Sequence, residues 1–126
     1  MPIVAVAAAL LAAAIHVWFF ALESVLFARP SVWARFGLRS AEAAEAVRPM
    51  ALNQGFYNLF LAGGIVIGLI LVADGNQPAG EAIVLFACAC MAGAGVVLAA
   101  TNRGLAAAAA LQAVPPLIAI AAAIVL

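Results

Sequence analysis

The stretch IVAVAAALLAAAIHVWFFALESVLFA, residues 3–28, is the first long apolar run of this chain and the clearest indication of its fold. A transmembrane helix needs about 20 predominantly apolar residues, and this run is longer, with His16 and Glu23 as its only ionisable side chains. Ionisable groups at membrane depth are costly, so they usually face a partner or a cavity. His16 and Glu23 are about two helical turns apart and therefore share one helix face. The stretch predicts a membrane-spanning helix with a functional site.

Composition extends this prediction to the whole chain. With 70% hydrophobic and 8% charged residues, the chain does not have the composition of an ordinary soluble domain. Three further stretches are long and apolar enough to span a bilayer: 50–73, 82–101 and 105–126. We therefore expect a single integral membrane domain over 1–126, an all-α four-transmembrane-helix bundle in contact with the lipid bilayer. The basic surface needed to bind nucleic acid is missing.

The positions of the arginines predict the orientation in the membrane. Arg29, Arg35, Arg39 and Arg48 lie between the first and second spans, and Arg103 lies between the third and fourth. Cytoplasmic loops are enriched in Lys and Arg, so these two loops are expected in the cytoplasm and both termini outside.

The segment after the first span predicts a short amphipathic cytoplasmic connector. Trp33 and Phe36 are suited to the headgroup region of the membrane. Ser40 is a candidate N-cap, and good helix formers with an acid in the first turn follow it. Pro49 then either kinks this helix into the second span or marks a fresh helix start.

Polar side chains of three spans fall into one layer near the cytoplasmic boundary. At 1.5 Å per residue, they lie roughly 7–13 Å deep, whereas His16 lies about 20 Å deep. The residues of this layer are Glu23, Asn53, Gln54, Tyr57, Asn58 and Gln112. The four on the second span occupy an arc of about 140°, which Gly64 and Gly68 continue. Such glycines allow close helix approach, so we expect this arc to face the bundle interior.

Each of these residues also has an ordinary explanation. Asn58 and Gln112 are residue types that often hydrogen-bond between membrane helices. Tyr57 is typical of an interfacial aromatic belt, and Arg103 beside a turn is typical of a topology signal. The alternative interpretation treats Asn53, Gln54, Tyr57, Asn58, Arg103 and Gln112 as ligand-binding residues of a polar pocket.

Glu23 and His16 are the candidate catalytic residues. A carboxyl group in this layer can serve as acid or base, with His16 relaying a proton or orienting a ligand. The alternatives for His16 are a neutral, hydrogen-bonded core residue and a haem ligand, although no cofactor is predicted from the sequence as a whole. A zinc site is not expected, because there is no second histidine and Cys88 and Cys90 point about 160° apart on a helix.

Several motifs resemble a small bacterial membrane family catalogued as domain of unknown function 1304. They are His16-Val17-Trp18-Phe19-Phe20-Ala21-Leu22-Glu23, Phe36-Gly37-Leu38, Asn53-Gln54-Gly55-Phe56-Tyr57-Asn58, Thr101-Asn102-Arg103 and Gln112-Ala113-Val114-Pro115-Pro116. The resemblance covers nearly the whole chain. It implies a four-span protein of the bacterial plasma membrane and brings no established activity.

Two classes of function follow from these observations. In the first, the protein binds or converts a small apolar or amphipathic molecule in a cytoplasmic-side pocket between helices. In the second, it is a small transporter or channel for a solute or protons, formed by a homo-oligomer. A structural accessory subunit is a third alternative. The sequence leaves open whether the protein is an enzyme.

Overall fold

The computed structural model describes residues 1–126 and is all-helical. Helix α1 spans Ile3–Phe20 and continues as a π-helical turn over Ala21–Val25. The short helix α2 spans Pro30–Trp33 and leads into a 3₁₀ turn over Ala34–Phe36. Helix α3 spans Ala41–Ala73, α4 spans Gln77–Thr101, and α5 spans Ala106–Val125 after a 3₁₀ turn over Arg103–Leu105. Four of these helical segments are long and apolar enough to cross a membrane. The predicted all-α fold with four membrane-spanning helices is confirmed.

The four long helices form an antiparallel bundle in which each packs against two neighbours. Both α1 and α4 contact α3 and α5, while α1 and α4 lie diagonally across the bundle. One end of the bundle carries the tight α3–α4 turn, Asp74–Asn76, and we call this half the turn half. The opposite end carries the connector, residues 26–40, and the α4–α5 turn, and we call it the connector half.

The buried core lies in the turn half. Its members are mostly small side chains from all four long helices: Ala8, Ala9, Ala12, Ala13, Ala62, Ile65, Val84, Ala87, Cys88, Met91 and Ala119. Two glycines bring α3 and α4 into backbone contact there. A Cβ on Gly68 would lie 2.8 Å from the carbonyl oxygen of Gly80, so neither position has room for a side chain.

Three helix boundaries differ from those predicted. The first span ends at Val25, three residues earlier than expected, because the π turn is followed by a non-helical turn. Helix α4 begins at Gln77, before the expected start of the third span at 82. The second span is part of one continuous helix that begins at Ala41, so Pro49 does not mark a fresh helix start. Pro49 is exposed near one end of this helix, where water can satisfy the carbonyl that loses its donor. The Ser40 hydroxyl accepts a hydrogen bond from the Ala43 N–H at 3.1 Å, which confirms the predicted N-cap.

Two glycines shape the loops between helices. Gly37 ends the 3₁₀ turn of the connector with φ of +80°, and Gly75 lies in the α3–α4 turn with φ of +90°. Residues with a Cβ rarely adopt this left-handed conformation. Gly75 thereby allows α4 to begin two residues later, at Gln77, which keeps α3 and α4 close at this end.

Candidate functional site

The connector half contains a cavity of about 680 Å³. It is lined by residues of all four long helices, of the connector and of the α4–α5 turn: Ala14, Ile15, Trp18, Phe19, Leu22, Glu23, Arg35, Phe36, Gln54, Asn58, Ala94, Val97, Leu98, Thr101, Leu105, Ala108, Leu111 and Gln112. Two of these wall residues, Trp18 and Leu111, are 50% and 54% exposed, so the cavity is open to its surroundings. Its size is within the range of small-molecule sites, about 300–1,000 Å³.

The π-helical turn at the end of α1 carries Glu23 into this cavity. The N–H of Leu26 donates to the carbonyl of Ala21 at 2.9 Å, a bond across five residues that widens the turn. Insertions of this kind often occur at functional sites, because they reorient side chains within an otherwise regular helix. Glu23 is half-buried in the widened turn.

Asn58 is the hydrogen-bond partner of Glu23. Its amide Nδ2 donates to Glu23 Oε2 at 3.1 Å, and the asparagine is only 3% exposed. The other carboxyl oxygen of Glu23, Oε1, accepts no hydrogen bond from the chain. Polar side chains inside a bundle need partners, and this pair links the end of α1 to the middle of α3.

A second polar contact fixes the α1–α3 crossing beside this pair. Ser24 Oγ donates to the carbonyl oxygen of Leu52 at 2.8 Å. Gly55 lies directly against Ser24, where a Cβ would overlap the Ser24 hydroxyl and lie 3.1 Å from Glu23 Cβ. The absence of a side chain at Gly55 therefore lets α1 approach α3 closely enough for Glu23 and Asn58 to meet.

Two prolines change the backbone hydrogen bonding of α5, which forms another wall of the cavity. Pro115 and Pro116 are buried inside the helix. Proline has no N–H, so the carbonyls four residues earlier, those of Leu111 and Gln112, lose their usual helical donors. Both residues line the cavity. Two residues of the α5 wall thus have backbone carbonyls outside the regular helical hydrogen-bond pattern.

The structure brings together four of the residues predicted to form the site. Glu23, Gln54, Asn58 and Gln112 all line the cavity. The side chains of Gln54 and Gln112 make no hydrogen bond within the chain. Their amide groups are therefore available to a bound molecule.

Three other predicted ligand-binding residues lie outside the cavity wall. Asn53 and Arg103 are exposed, and Tyr57 is 61% exposed. The expectation that Asn53 and Tyr57 face the bundle interior is wrong. Each residue turns a helix by about 100°, which places Tyr57 about 100° and Asn53 about 140° from the buried Asn58. The predicted arc was wider than the stripe by which α3 contacts its neighbours. A role for these residues in ligand binding stays a prediction.

His16 lies outside the cavity as well. Its side chain is fully buried, its Nδ1 is 2.8 Å from the carbonyl oxygen of Ala12, and its Nε2 has no hydrogen-bond partner. The ring of Phe19, which does line the cavity, packs edge-on against it with ring centres 5.5 Å apart. His16 lines neither this cavity nor the second cavity of the chain, which lies between α1 and α3, and a haem at this residue stays a prediction. No group of three or more His, Cys, Asp or Glu residues could hold a metal ion.

Sequence reasoning missed five polar or aromatic wall residues. Arg35 and Phe36 of the connector were assigned to topology and to the membrane interface, and Trp18, Phe19 and Thr101 were noted only as parts of motifs. Arg35 and Phe36 line the cavity because the connector folds back over the end of the bundle. The rings of Phe27 and Phe36, both in the connector, pack against each other with centres 5.6 Å apart. The aromatic residues in a loop otherwise rich in arginine were the available signal.

Comparison with known families identifies the chain. The model of the family described as Protein of unknown function (DUF1304) matches residues 10–124. The chain belongs to this family. No curated protein and no solved structure matches the chain significantly. The DUF1304 match includes every residue that lines the cavity, and the four long helices give the architecture of a multi-pass membrane protein.

Proposed function

We propose that this DUF1304 protein binds, or binds and converts, a small apolar or amphipathic molecule in the cavity of the connector half. The observation that carries the proposal is the convergence of Glu23, Asn58 and Gln112, from three helices, on a cavity whose other walls are mainly apolar. Ligand sites in proteins commonly combine mainly apolar walls with a few polar groups that orient the ligand.

The distribution of polar groups along the cavity supports an amphipathic ligand. On α1, the apolar Ile15 lies about 12 Å deeper in the bundle than Glu23, at 1.5 Å per residue. Arg35 and Thr101 lie still closer to the helix ends. A bound molecule would place its apolar part among the helices and its polar part towards the connector.

Of the two candidate catalytic residues, only Glu23 is placed to take part in a chemical step. Glu23 lines the cavity, whereas His16 is separated from it by Phe19. If the ligand is converted, the Glu23 carboxyl is the group placed to exchange a proton with it, and a general acid or base must lie within hydrogen-bond reach of the reacting atom. His16 would have a structural role.

The packing of the turn half favours binding over transport. Beyond the cavity, Ile65, Val84 and Met91 are completely buried. A path through a single copy of the chain would have to cross this layer.

We also propose that the connector half faces the cytoplasm of a bacterial plasma membrane. All five arginines lie in this half or in its loops, while the α3–α4 turn carries an aspartate and no basic residue. Arginine-rich loops are typically cytoplasmic. With Cys88 and Cys90 replaced by alanine, a membrane-impermeant maleimide should label Asn76→Cys in intact cells and Ser31→Cys only after lysis. The reverse pattern would contradict this orientation.

A matched pair of substitutions on α4 tests ligand binding. Ala94 lines the cavity, whereas Ala99 is exposed outside it. Ala94→Phe should fill part of the cavity, and Ala99→Phe should add the same side chain on the outer face. Mass spectrometry of the purified proteins should find a small molecule in the wild type and in Ala99→Phe that is reduced by about tenfold or more in Ala94→Phe, equivalent to a loss of about 1.4 kcal/mol or more. Equal small-molecule content in the two variants would contradict the proposal.

A further inference from the structure

Glu23 is an acidic group without a counter-ion. The chain has two ion pairs, one between Glu81 and the amino group of Met1 and the other between Glu45 and Arg48. Glu23 takes part in neither, and its one hydrogen bond comes from the neutral amide of Asn58. A carboxylate among apolar side chains is poorly compensated by a single neutral donor. It therefore favours a cation brought by the ligand.

Aromatic rings surround the same space. Trp18, Phe19 and Phe36 all line the cavity with Glu23. The faces of aromatic rings attract cations, and aromatic cages are a common way to bind substituted ammonium groups. Three rings and one carboxyl group in a single cavity are the chemistry expected of a site for an organic cation.

The side chain of Gln112 on α5 adds an acceptor for a cation that carries N–H groups. Gln112 lines the cavity, and its side-chain oxygen accepts no hydrogen bond within the chain. A primary or secondary ammonium group has more than one N–H to donate and would use this acceptor together with Glu23.

We propose that the ligand of this cavity is an amphipathic amine, bound in its ammonium form with its nitrogen at Glu23. This inference rests on the proposed function and names its ligand class. Arg35, the other charged residue of the wall, is exposed on the connector, where water screens its repulsion. A ligand that also carries an acidic group would place that group at Arg35.

The cavity contains a fluorescent reporter for a direct test. The chain has two tryptophans, of which Trp18 lines the cavity and Trp33 does not. In a Trp33→Phe background, in nanodiscs of a neutral phospholipid, Trp18 fluorescence would be followed during titration with n-octylamine, n-octanol and n-octanoate. Empty nanodiscs correct for partition into lipid. We expect octylamine to bind saturably and at least about tenfold more tightly than octanol, since hydrogen bonds to charged groups are the stronger ones.

The variant Glu23→Gln tests the contribution of the negative charge of Glu23 to amine binding. It keeps the size of the side chain and an oxygen that can accept from Asn58, so the α1–α3 contact is retained. The variant should weaken octylamine binding by about tenfold or more and leave octanol binding within about twofold. The control is Glu42→Gln, which removes an exposed acid at the same end of the bundle but outside the cavity. It should change neither affinity.

The outcomes separate this inference from the proposed function. If Ala94→Phe removes binding, the cavity binds ligands. The amine inference is nevertheless overturned if octanol or octanoate binds as tightly as octylamine, or if Glu23→Gln leaves octylamine binding unchanged. If none of the three compounds gives a saturable signal that Ala94→Phe removes, both proposals fail. The comparison of the three compounds on the wild-type glutamate needs no Glu23 variant, so the test survives poor folding of Glu23→Gln.

Discussion

The two halves of the bundle consist of the same four helices but differ in how tightly these helices pack. In the turn half, glycine and alanine bring the helices together around Ile65, Val84 and Met91, none of which is exposed. In the connector half, α1 still meets α3 at Gly55 and α4 still meets α5 at Gly95, but a cavity of about 680 Å³ lies among the four helices. The membrane-crossing stretches of the four helices are similarly apolar. The difference lies in residue size and in how the helix ends are connected.

The connections between helices differ at the two ends. In the turn half, α3 and α4 are joined by three residues, Asp74–Asn76, and meet at Gly68 and Gly80. In the connector half, α4 and α5 are also joined by a short turn, but α1 and α3 are joined by the long segment 26–40, which imposes no such closeness. Larger side chains such as Trp18 and Phe19 also take the place of the alanines of the turn half.

The largest effect should come from shortening a core side chain of the turn half. Met91→Ala removes a completely buried side chain from a packed layer, and we expect it to lower the free energy of unfolding by about 2–5 kcal/mol. Leu98→Ala, seven residues further along α4, only enlarges an existing cavity and should cost less than about 1 kcal/mol. Unfolding by SDS titration in mixed micelles would measure both. Equal losses would contradict the contrast between a packed and an open half.

A somewhat smaller effect is expected at the glycine contact. Gly68→Ala places a Cβ 2.8 Å from a backbone oxygen of α4, so α3 and α4 must move apart. We expect the free energy of unfolding to fall by about 1–3 kcal/mol, the usual cost of overpacking. Gly63→Ala is the control on the same helix, because a Cβ there meets no atom within 4 Å. It should be neutral or stabilise the helix by up to about 1 kcal/mol. A Gly68→Ala variant as stable as Gly63→Ala would show that the helices do not depend on this contact.

The fold was predictable because it follows from composition and length. Runs of about 20 apolar residues leave the helix as the natural way to satisfy every backbone group in a bilayer. The end of the first span was predicted less well, since hydropathy continues to Ala28 while the helix ends in a π turn at Val25. Hydropathy carries no information about such a turn, within which Ser24 packs against Gly55 of α3.

The depth of the site residues in the membrane was predictable from the sequence, but the direction of their side chains was predictable only in part. Counting residues placed Glu23, Asn58 and Gln112 in one layer, and all three line the cavity. The rotation angles of the polar residues on α3 did not show that Asn58 faces the bundle and Tyr57 does not. The width of the α3 surface in contact with other helices depends on which helices are its neighbours. Arg35 reaches the cavity through the path of the connector, and a loop path is not fixed by periodicity.

The smallest effect, and the most specific, concerns the Glu23–Asn58 hydrogen bond of the connector half. Asn58→Ala removes its donor and Glu23→Ala its acceptor. A double-mutant cycle on unfolding free energies should give a coupling of about 0.6 kcal/mol, and no more than about 1.7 kcal/mol, the range of hydrogen bonds between membrane helices. Ser31→Ala in place of Asn58→Ala is the control, because Ser31 is exposed and makes no side-chain hydrogen bond, and it should give no coupling. A coupling well above this range would mean that the pair helps to hold the bundle together. A value within it would mean that the open half depends little on its polar groups for stability, and that these groups are available to a ligand.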